Sequence, residues 1–434
     1  MTSILFASVP VHGHVTPLLP LAQACIARGD RVRFLTGSRF RDAVTATGAE
    51  HIPLPADADF DDRRISERFP ERERLSPIKA IAHDIEHVFV RPGASQYAAV
   101  QSLLGQEAAD AIVVDPTFAA GALLVDLPAH ERPAVIVGGV LPLNMSADGL
   151  APFGFGLAPL GGAPGRIRNG ILQALTTRLM APVSAAGAQI CRQVHGRAPR
   201  IPVMDWMRHA DAIVQLTVPS FEYPRPGIDA RIEFVGPVSS STAAVHARPA
   251  WWSELDGSRP VIHVTQGTLA NDDPEDLILP AASAFAGSDA LVVIATGGAP
   301  VSSLGALPEN VRVAEFLPYE ELLARTTLMI SNGGYGGVQF ALRHGVPLVI
   351  APGKEDKVEV AARVAWSGAG VNLRTQRPTP GRLRRSADHV LGDPSYRRAA
   401  ERISADIAAA PGLSGFVEVI DRAVERNPAG RLPA

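Results

Sequence analysis

The sequence predicts an α/β protein of two doubly wound, Rossmann-like domains facing each other across a cleft. Three observations carry that reading. At 434 residues the chain exceeds what one ordinary hydrophobic core holds. Apolar runs rich in Val, Ile and Leu alternate with helical patterns, which is the signature of βαβ units in a parallel sheet covered on both faces. The alternation then restarts after a stretch at 218–249 that is rich in Pro, Ser and turn signals.

The first half opens with the strand-like SILFASVP (3–10), a glycine-containing turn, and the helical PLLPLAQACIARG, which ends on Gly29. RVRFLT (31–36), a helix over 38–47 and the short HIPLP follow. DAIVVD (110–115) leads into the apolar helix FAAGALLVDL, and PAVIVGG (133–139) into a loop. In the second half PVIHVTQGT (260–268), ALVVIATGG (290–298), VRVAEF (311–316), TLMISN (327–332) and PLVIAPG (347–353) read as strands with helices between them. PSYRRAAERISADIAAA and GFVEVIDRAVER close the chain as two helices. The expected units are a first domain at 1–217, a linker at 218–249, a second domain at 250–393, and C-terminal helices at 394–434 that cross back to the first domain.

Composition narrows the function. With 46 % hydrophobic and 20 % charged residues and a formal net charge of −3, the chain carries no electrostatic footprint for nucleic acid or an anionic membrane. Two cysteines, Cys25 and Cys191, build neither a disulfide framework nor a cysteine metal site and are expected in the core. MTSILFASVPVHGH lacks a basic n-region, and no run approaches the ~20 apolar residues of a membrane span. The expected address is the cytoplasm.

Ligands of doubly wound sheets bind beyond the carboxyl ends of the strands. The turns at 12–17 and 332–337, and Asp115, all occupy such positions. In ISNGGYGGVQFALRHGVP (330–347) the strand runs into Gly333, Gly334, Gly336 and Gly337 and then into a helix. Glycine is unfavourable in regular structure, so the four need a reason. Either the backbone approaches a phosphate at the positive end of the helix dipole, or the turn packs tightly between strand and helix. The GxGxxG spacing of dinucleotide sites fails, because Gln339 stands at its third glycine, so NAD is not expected. His14 at the start of a helix suits a general base, since the dipole disfavours imidazolium; Asp115 would fix its tautomer. His12 is the competing histidine and reads as a turn residue. ADADFDD (56–62) reads as a solvated acidic loop, and no metal site is expected.

On HGHVTPLLPLAQACIARGDRVRFLTG, VTQGT, FLPYEELL and SNGGYGGVQFALRHGVPLVIAPGKEDKVEVAARVAWSGAGV, the chain resembles the GT-B glycosyltransferases. The similarity is to the family 1 nucleotide-sugar transferases that decorate bacterial natural products such as macrolides and glycopeptides. It spans nearly the whole chain and implies an acceptor-binding first domain and a nucleotide-sugar-binding second domain. His14 then stands at the catalytic base and Asp115 at its orienting acid. Gly267 and Thr268 match the turn that contacts the diphosphate, and Phe316 replaces the tryptophan that stacks on the base, with Leu317 contributing backbone contacts. Gly336 and Gly337 match the phosphate-holding amides, so amides from Gly333 to Val338 would take the leaving-group charge. Asp356 and Lys357 occupy the Asp–Gln pair that contacts the donor sugar. Asn332 replaces a histidine; its side chain can still donate to phosphate. Phe340 replaces a glutamate that grips the ribose hydroxyls, which with Lys357 tilts the donor toward a dTDP-linked, deoxy-type sugar rather than UDP-glucose.

The implied activity is inverting, metal-independent transfer of a sugar to a hydroxyl of a hydrophobic aglycone, with no cofactor beyond the donor. Partners would be these small molecules alone, without nucleic acid or membrane; oligomeric state stays open, a homodimer included. The apolar, Gly/Pro-rich 140–165 is long for a plain connection, and Phe153 and Phe155 would suit a flat aglycone. It could equally fold onto its own domain. The charged 61–80 is expected to be mobile and lid-like, and Trp251 and Trp252 to serve domain packing. Three alternatives stay open: a UDP-sugar-using enzyme, a GT-B epimerase or cell-wall transferase, and a catalytically silent auxiliary relative.

Overall fold

The computed structural model describes residues 1–75, 77–225, 231–238, 247–268, 273–353 and 356–427. The apolar runs of the first half become Ser3–Ala7 (β1), Arg31–Thr36 (β2), Glu50–Pro53 (β3), Ala111–Val114 (β4), Ala134–Gly139 (β5), Ala212–Gln215 (β6) and Ile232–Phe234 (β7). Those of the second half become Val261–Thr265 (β8), Leu291–Ala295 (β9), Val311–Ala314 (β10), Leu328–Ser331 (β11), Leu348–Ile350 (β12) and Gly370–Asn372 (β13). Among the described residues they form two sheets, β3-β2-β1-β4-β5-β6-β7 and β10-β9-β8-β11-β12-β13. Every pairing is parallel.

Alternation at period two, with both faces covered, explains why the central strands are mostly apolar at consecutive positions. Ile4, Phe6, Val113 and Ile136 enter one core cluster, while Leu5, Ala7, Ile112, Val114, Val135 and Val137 enter another on the opposite face. In the second sheet Ile262, Val264, Val292 and Ile294 face one cluster and Val261, Leu291 and Val293 a different one. Strand order reverses between β1 and β4 in the first sheet and between β8 and β11 in the second, so each domain has its switch-point crevice there.

Two boundaries differ from the sequence reading. The span 218–249 is not only a linker, since β7 lies in it and pairs with β6 at the edge of the first sheet. Its three half-buried residues carry too short a pattern to announce a strand. Of the two C-terminal helices, only Gly412–Arg426 returns to the first domain, placing Phe416, Val419, Ile420 and Ala423 in the cluster that holds Phe6. Pro394–Ala409 stays on the second domain, with Ala400 and Ile403 against Val338 and Leu342. No single described helix is long and apolar enough to cross a membrane; this pair passes only jointly, bent by 53°. Both cysteines are buried thiols. Trp252 lies in the core of the second domain with Leu317 and Leu322.

The segment 61–80, expected to be mobile, folds into the short turns Asp62–Arg64, Ile65–Arg68 and Pro70–Arg74 before the helix Pro77–Asp84. Its acidic start is engaged rather than free. Asp62 pairs with Arg39 and accepts the His12 N–H at 2.7 Å, and Asp61 pairs with Arg63.

Candidate active site

At the first switch point β1 ends on Ala7 and the chain turns into the helix His12–Val15, while β4 ends one residue before Asp115. The Asp115 N–H donates to the Ala7 carbonyl at 3.1 Å and fixes the carboxylate at the strand end. His14 Nδ1 lies 3.0 Å from Asp115 Oδ1. The carboxylate is fully buried and hydrogen-bonded at both oxygens. Oδ2 accepts from the Val9 N–H (2.9 Å) and Ser8 Oγ (3.1 Å), and Oδ1 from the Thr117 N–H (2.7 Å) and Thr117 Oγ1 (2.8 Å). Burial alone would raise the Asp115 pKa; the facing His14 ring and the hydrogen bonds from Thr117 and Val9 outweigh it and hold the carboxyl below its ordinary value. An ionised, immobile Asp115 favours the tautomer with a proton on Nδ1, leaving Nε2 as the basic nitrogen. Phe89 stacks on the imidazole with ring centroids 6.1 Å apart.

His12 takes no part in this pair. Its backbone N–H goes to Asp62, its ring lies 3.4 Å from Thr16 Oγ1, and burial and then Arg39 depress its pKa.

At the second switch point the four glycines divide by role. Gly333, at φ +85°, would place a Cβ 2.9 Å from Ile350 Cγ2 and 3.2 Å from the Lys357 carbonyl, so it is a packing glycine. Gly336 would place its Cβ in open space, and Gly337 only 3.8 Å from Met329 Cε. Gly334 precedes the helix Tyr335–Arg343 and no side chain caps it. The expectation that every amide from Gly333 to Val338 serves a ligand is too broad. Gly333 N–H donates to Ser331 Oγ (3.1 Å) and Val338 N–H to the Gly334 carbonyl (3.1 Å). That leaves the amides from Gly334 to Gly337, which helix geometry provides with no intrahelical acceptor.

Asn332 also departs from expectation. It is buried, and its side-chain N–H donates to the Gln266 carbonyl, so it ties the turn after β11 to the turn after β8. Gly267 in that turn has φ +78° and its N–H donates to Thr265 Oγ1 at 3.1 Å; Thr268 is exposed beside it. Phe316 is 43 % exposed, and its ring lies over Gly298, where a Cβ would come within 3.1 Å. Leu317 is buried, so only its backbone can face a ligand. Asp356 and Lys357 open the helix Lys357–Trp366 and are half-buried. Phe340 packs edge-on against Tyr319 at 6.1 Å within an apolar cluster.

The carboxyl end of β6 in the first sheet meets the glycine-turn helix of the second domain. Gln215, the last residue of β6, donates to the hydroxyl of Tyr335, the first residue of the glycine-turn helix, at 3.2 Å. Gln339 of the same helix donates to Thr217 Oγ1 at 2.8 Å. The stretch 140–165 reaches the second domain rather than folding only on its own, because the N–H groups of Gly154 and Gly156 donate to Glu359 Oε1. Phe153 is half-buried and Phe155 is 37 % exposed on it. Sequence reasoning missed Ser8, Phe89, Thr117 and Glu359. Only Thr117 had a local signal, the Asp-Pro-Thr turn in which a carboxylate bonds its own chain two residues on.

Residues 280–425 match the model for the C-terminal domain of erythromycin biosynthesis protein CIII-like proteins. Over 423 residues the chain is 41 % identical to 4′-demethylrebeccamycin synthase of Lentzea aerocolonigenes, covering 96 % of this chain and 98 % of that protein. The chain belongs to the natural-product glycosyltransferases. UDP-glycosyltransferase 2 of Phaeomoniella chlamydospora is 33 % identical over 96 % of this chain and 95 % of its own. The crystal structure of the calicheamicin glycosyltransferase CalG4 superposes with a TM-score of 0.76 at 25 % identity, covering 98 % of this chain and 99 % of that one. The architecture is GT-B, and this glycosyltransferase is a sugar-transferring enzyme.

Proposed function

We propose that this glycosyltransferase moves a sugar from a nucleotide diphosphate to a hydroxyl of a hydrophobic natural product with inversion, using His14 as base and neither metal nor cofactor. The single observation that supports it best is the 3.0 Å contact of His14 with an Asp115 carboxylate that is buried and bonded at both oxygens. Asp115 holds Nδ1–H, and His14 Nε2 takes the acceptor hydroxyl proton. The acceptor oxygen attacks the anomeric carbon from the face opposite the diphosphate, and the electrons of the breaking C–O bond pass to the leaving diphosphate. Amides of Gly334 to Gly337, at the positive end of the helix Tyr335–Arg343, take that charge, with the Gly267–Thr268 turn opposite.

In this reading residues 1–217 bind the acceptor and 250–393 the donor. The base would lie on the exposed Phe316 ring and bond the Leu317 backbone, with Asp356 and Lys357 at the sugar. Phe340 offers the ribose no hydrogen-bond partner, which favours a dTDP-linked donor; the relative named UDP-glycosyltransferase 2 keeps UDP as the competing donor. Phe153 and Phe155 would receive the aglycone. The test is product formation from a panel of dTDP- and UDP-sugars with hydrophobic aglycones, with anomeric configuration read by NMR. Inverted product, undiminished by EDTA, is expected. Retention of configuration, or loss of activity restored by a divalent ion, would overturn the mechanism.

A further inference from the structure

The stretch 140–165 is anchored at two points, Leu143 and Gly154–Gly156, by one buried cluster of charges that joins the two domains. Glu359, in the helix Lys357–Trp366, is 4 % exposed, and its Oε1 accepts the N–H groups of Gly154 (2.8 Å) and Gly156 (2.9 Å). Its Oε2 pairs with Arg363 Nη1 at 2.9 Å. Arg363, 1 % exposed, meets Glu222 Oε1 at 2.6 Å and lies over the Tyr223 ring at 4.3 Å. Glu222 Oε2 accepts the Leu143 N–H at 3.0 Å, and the Leu143 carbonyl accepts from Arg363 (3.2 Å) and Arg225 (2.7 Å). Gly156 approaches so closely that a Cβ there would come within 2.7 Å of the Val358 carbonyl.

Buried charges persist only when paired and hydrogen-bonded. A loop that left this position would strip one Glu359 oxygen of both its donors, so loop placement and domain docking are energetically one event. The two tethered glycines sit beside Phe153 and Phe155, and Glu359 follows Asp356 by three residues and Lys357 by two in the same first turn of helix. Resting on the reading of 140–165 as the acceptor loop, we propose that Glu359 is a positioning residue for the acceptor. It holds the Phe-Gly-Phe-Gly segment of one domain in register with the donor-sugar end of the other. The aglycone surface is then complete only when the domains are docked.

Hydrogen exchange and kinetics of the full chain test this with two variants that attack the contact from opposite sides, Glu359→Ala and Gly156→Ala. Amides of 150–158 are expected to exchange about tenfold faster or more in both, as two charge-assisted hydrogen bonds are lost, with exchange in β1 and β8 unaltered. Acceptor KM is expected to rise about fivefold or more while the nucleotide Kd stays within about twofold, and Glu359→Gln, which keeps an acceptor oxygen, should lie between. Unaltered exchange in 150–158 would overturn the tether. A parallel rise of acceptor KM and nucleotide Kd together with a lowered Tm would overturn the positioning role. If the unaltered protein transfers no sugar, the transferase mechanism fails on its own, and the exchange result still decides the tether.

Discussion

Gly333 and Gly336 lie three residues apart in one turn, yet alanine should affect them in opposite ways. At Gly333 the backbone has φ +85° and a Cβ would sit 2.9 Å from Ile350 Cγ2 and 3.2 Å from the Lys357 carbonyl. The left-handed conformation costs a non-glycine residue about 1–2 kcal/mol, and overpacking against main chain about 1–3 kcal/mol more. Gly333→Ala should therefore lose roughly 2–5 kcal/mol and lower Tm by several degrees. At Gly336 the Cβ meets nothing within 4 Å. Gly336→Ala should keep Tm or raise it slightly, by the ~0.5–1 kcal/mol that alanine gains over glycine in a helix. If the first-turn amides hold the diphosphate, that same methyl group blocks the approach. Losing one charge-assisted hydrogen bond of about 1.5–3 kcal/mol weakens nucleotide binding at least about tenfold. Calorimetry of dTDP and UDP with both variants, beside thermal melts, separates the roles. A Gly336→Ala protein with unaltered nucleotide affinity would refute the phosphate reading and return this glycine to a helix-packing role.

Three further outcomes are expected. Asp115→Asn places an N–H donor opposite His14 Nδ1 and stabilises the wrong tautomer, so turnover should fall about 10²–10⁴-fold with nucleotide affinity unchanged; a loss under tenfold would contradict the pairing. His263 is fully buried between the Val293 carbonyl and the Tyr319 hydroxyl, and burial pushes its pKa down to about 4. The unfolded chain therefore binds the extra proton first as pH falls below about 6.5, and stability should drop by about 2 kcal/mol between pH 7 and 5, a loss that His263→Gln removes in urea titrations. Equal pH slopes for the two proteins would show that His263 does not titrate this way. Finally, dTDP should bind at least about fivefold more tightly than UDP, whose 2′-hydroxyl would be buried unpaired beside Phe340, and Phe340→Glu should narrow the gap; equal binding by the unaltered protein reopens the donor class.

The fold was legible wherever apolar runs were long enough to be covered on both faces. SILFASVP contains β1 and TLMISN contains β11, because a buried parallel strand must be apolar at consecutive positions. β7 escaped detection because an edge strand of three half-buried residues needs no such run. His14 and Asp115 were legible because each follows a recognisable strand, although they are 101 residues apart. Glycine content alone could not separate Gly333 from Gly336, since one answers to Ile350 and the other to open space. Glu359 was invisible for the same reason: its partners, Gly154 and Gly156, lie 205 and 203 residues away in a loop with no pattern of its own.

Single-turnover transfer by His14→Ala, with nucleotide binding measured on the same protein, bears most directly on the His14–Asp115 base. In the proposed mechanism the base acts on the acceptor hydroxyl and not on the diphosphate. The rate should therefore fall about 10²–10⁴-fold while the nucleotide Kd stays within about twofold. Turnover near that of the unaltered enzyme, or a nucleotide Kd that weakens in step with the rate, would contradict it.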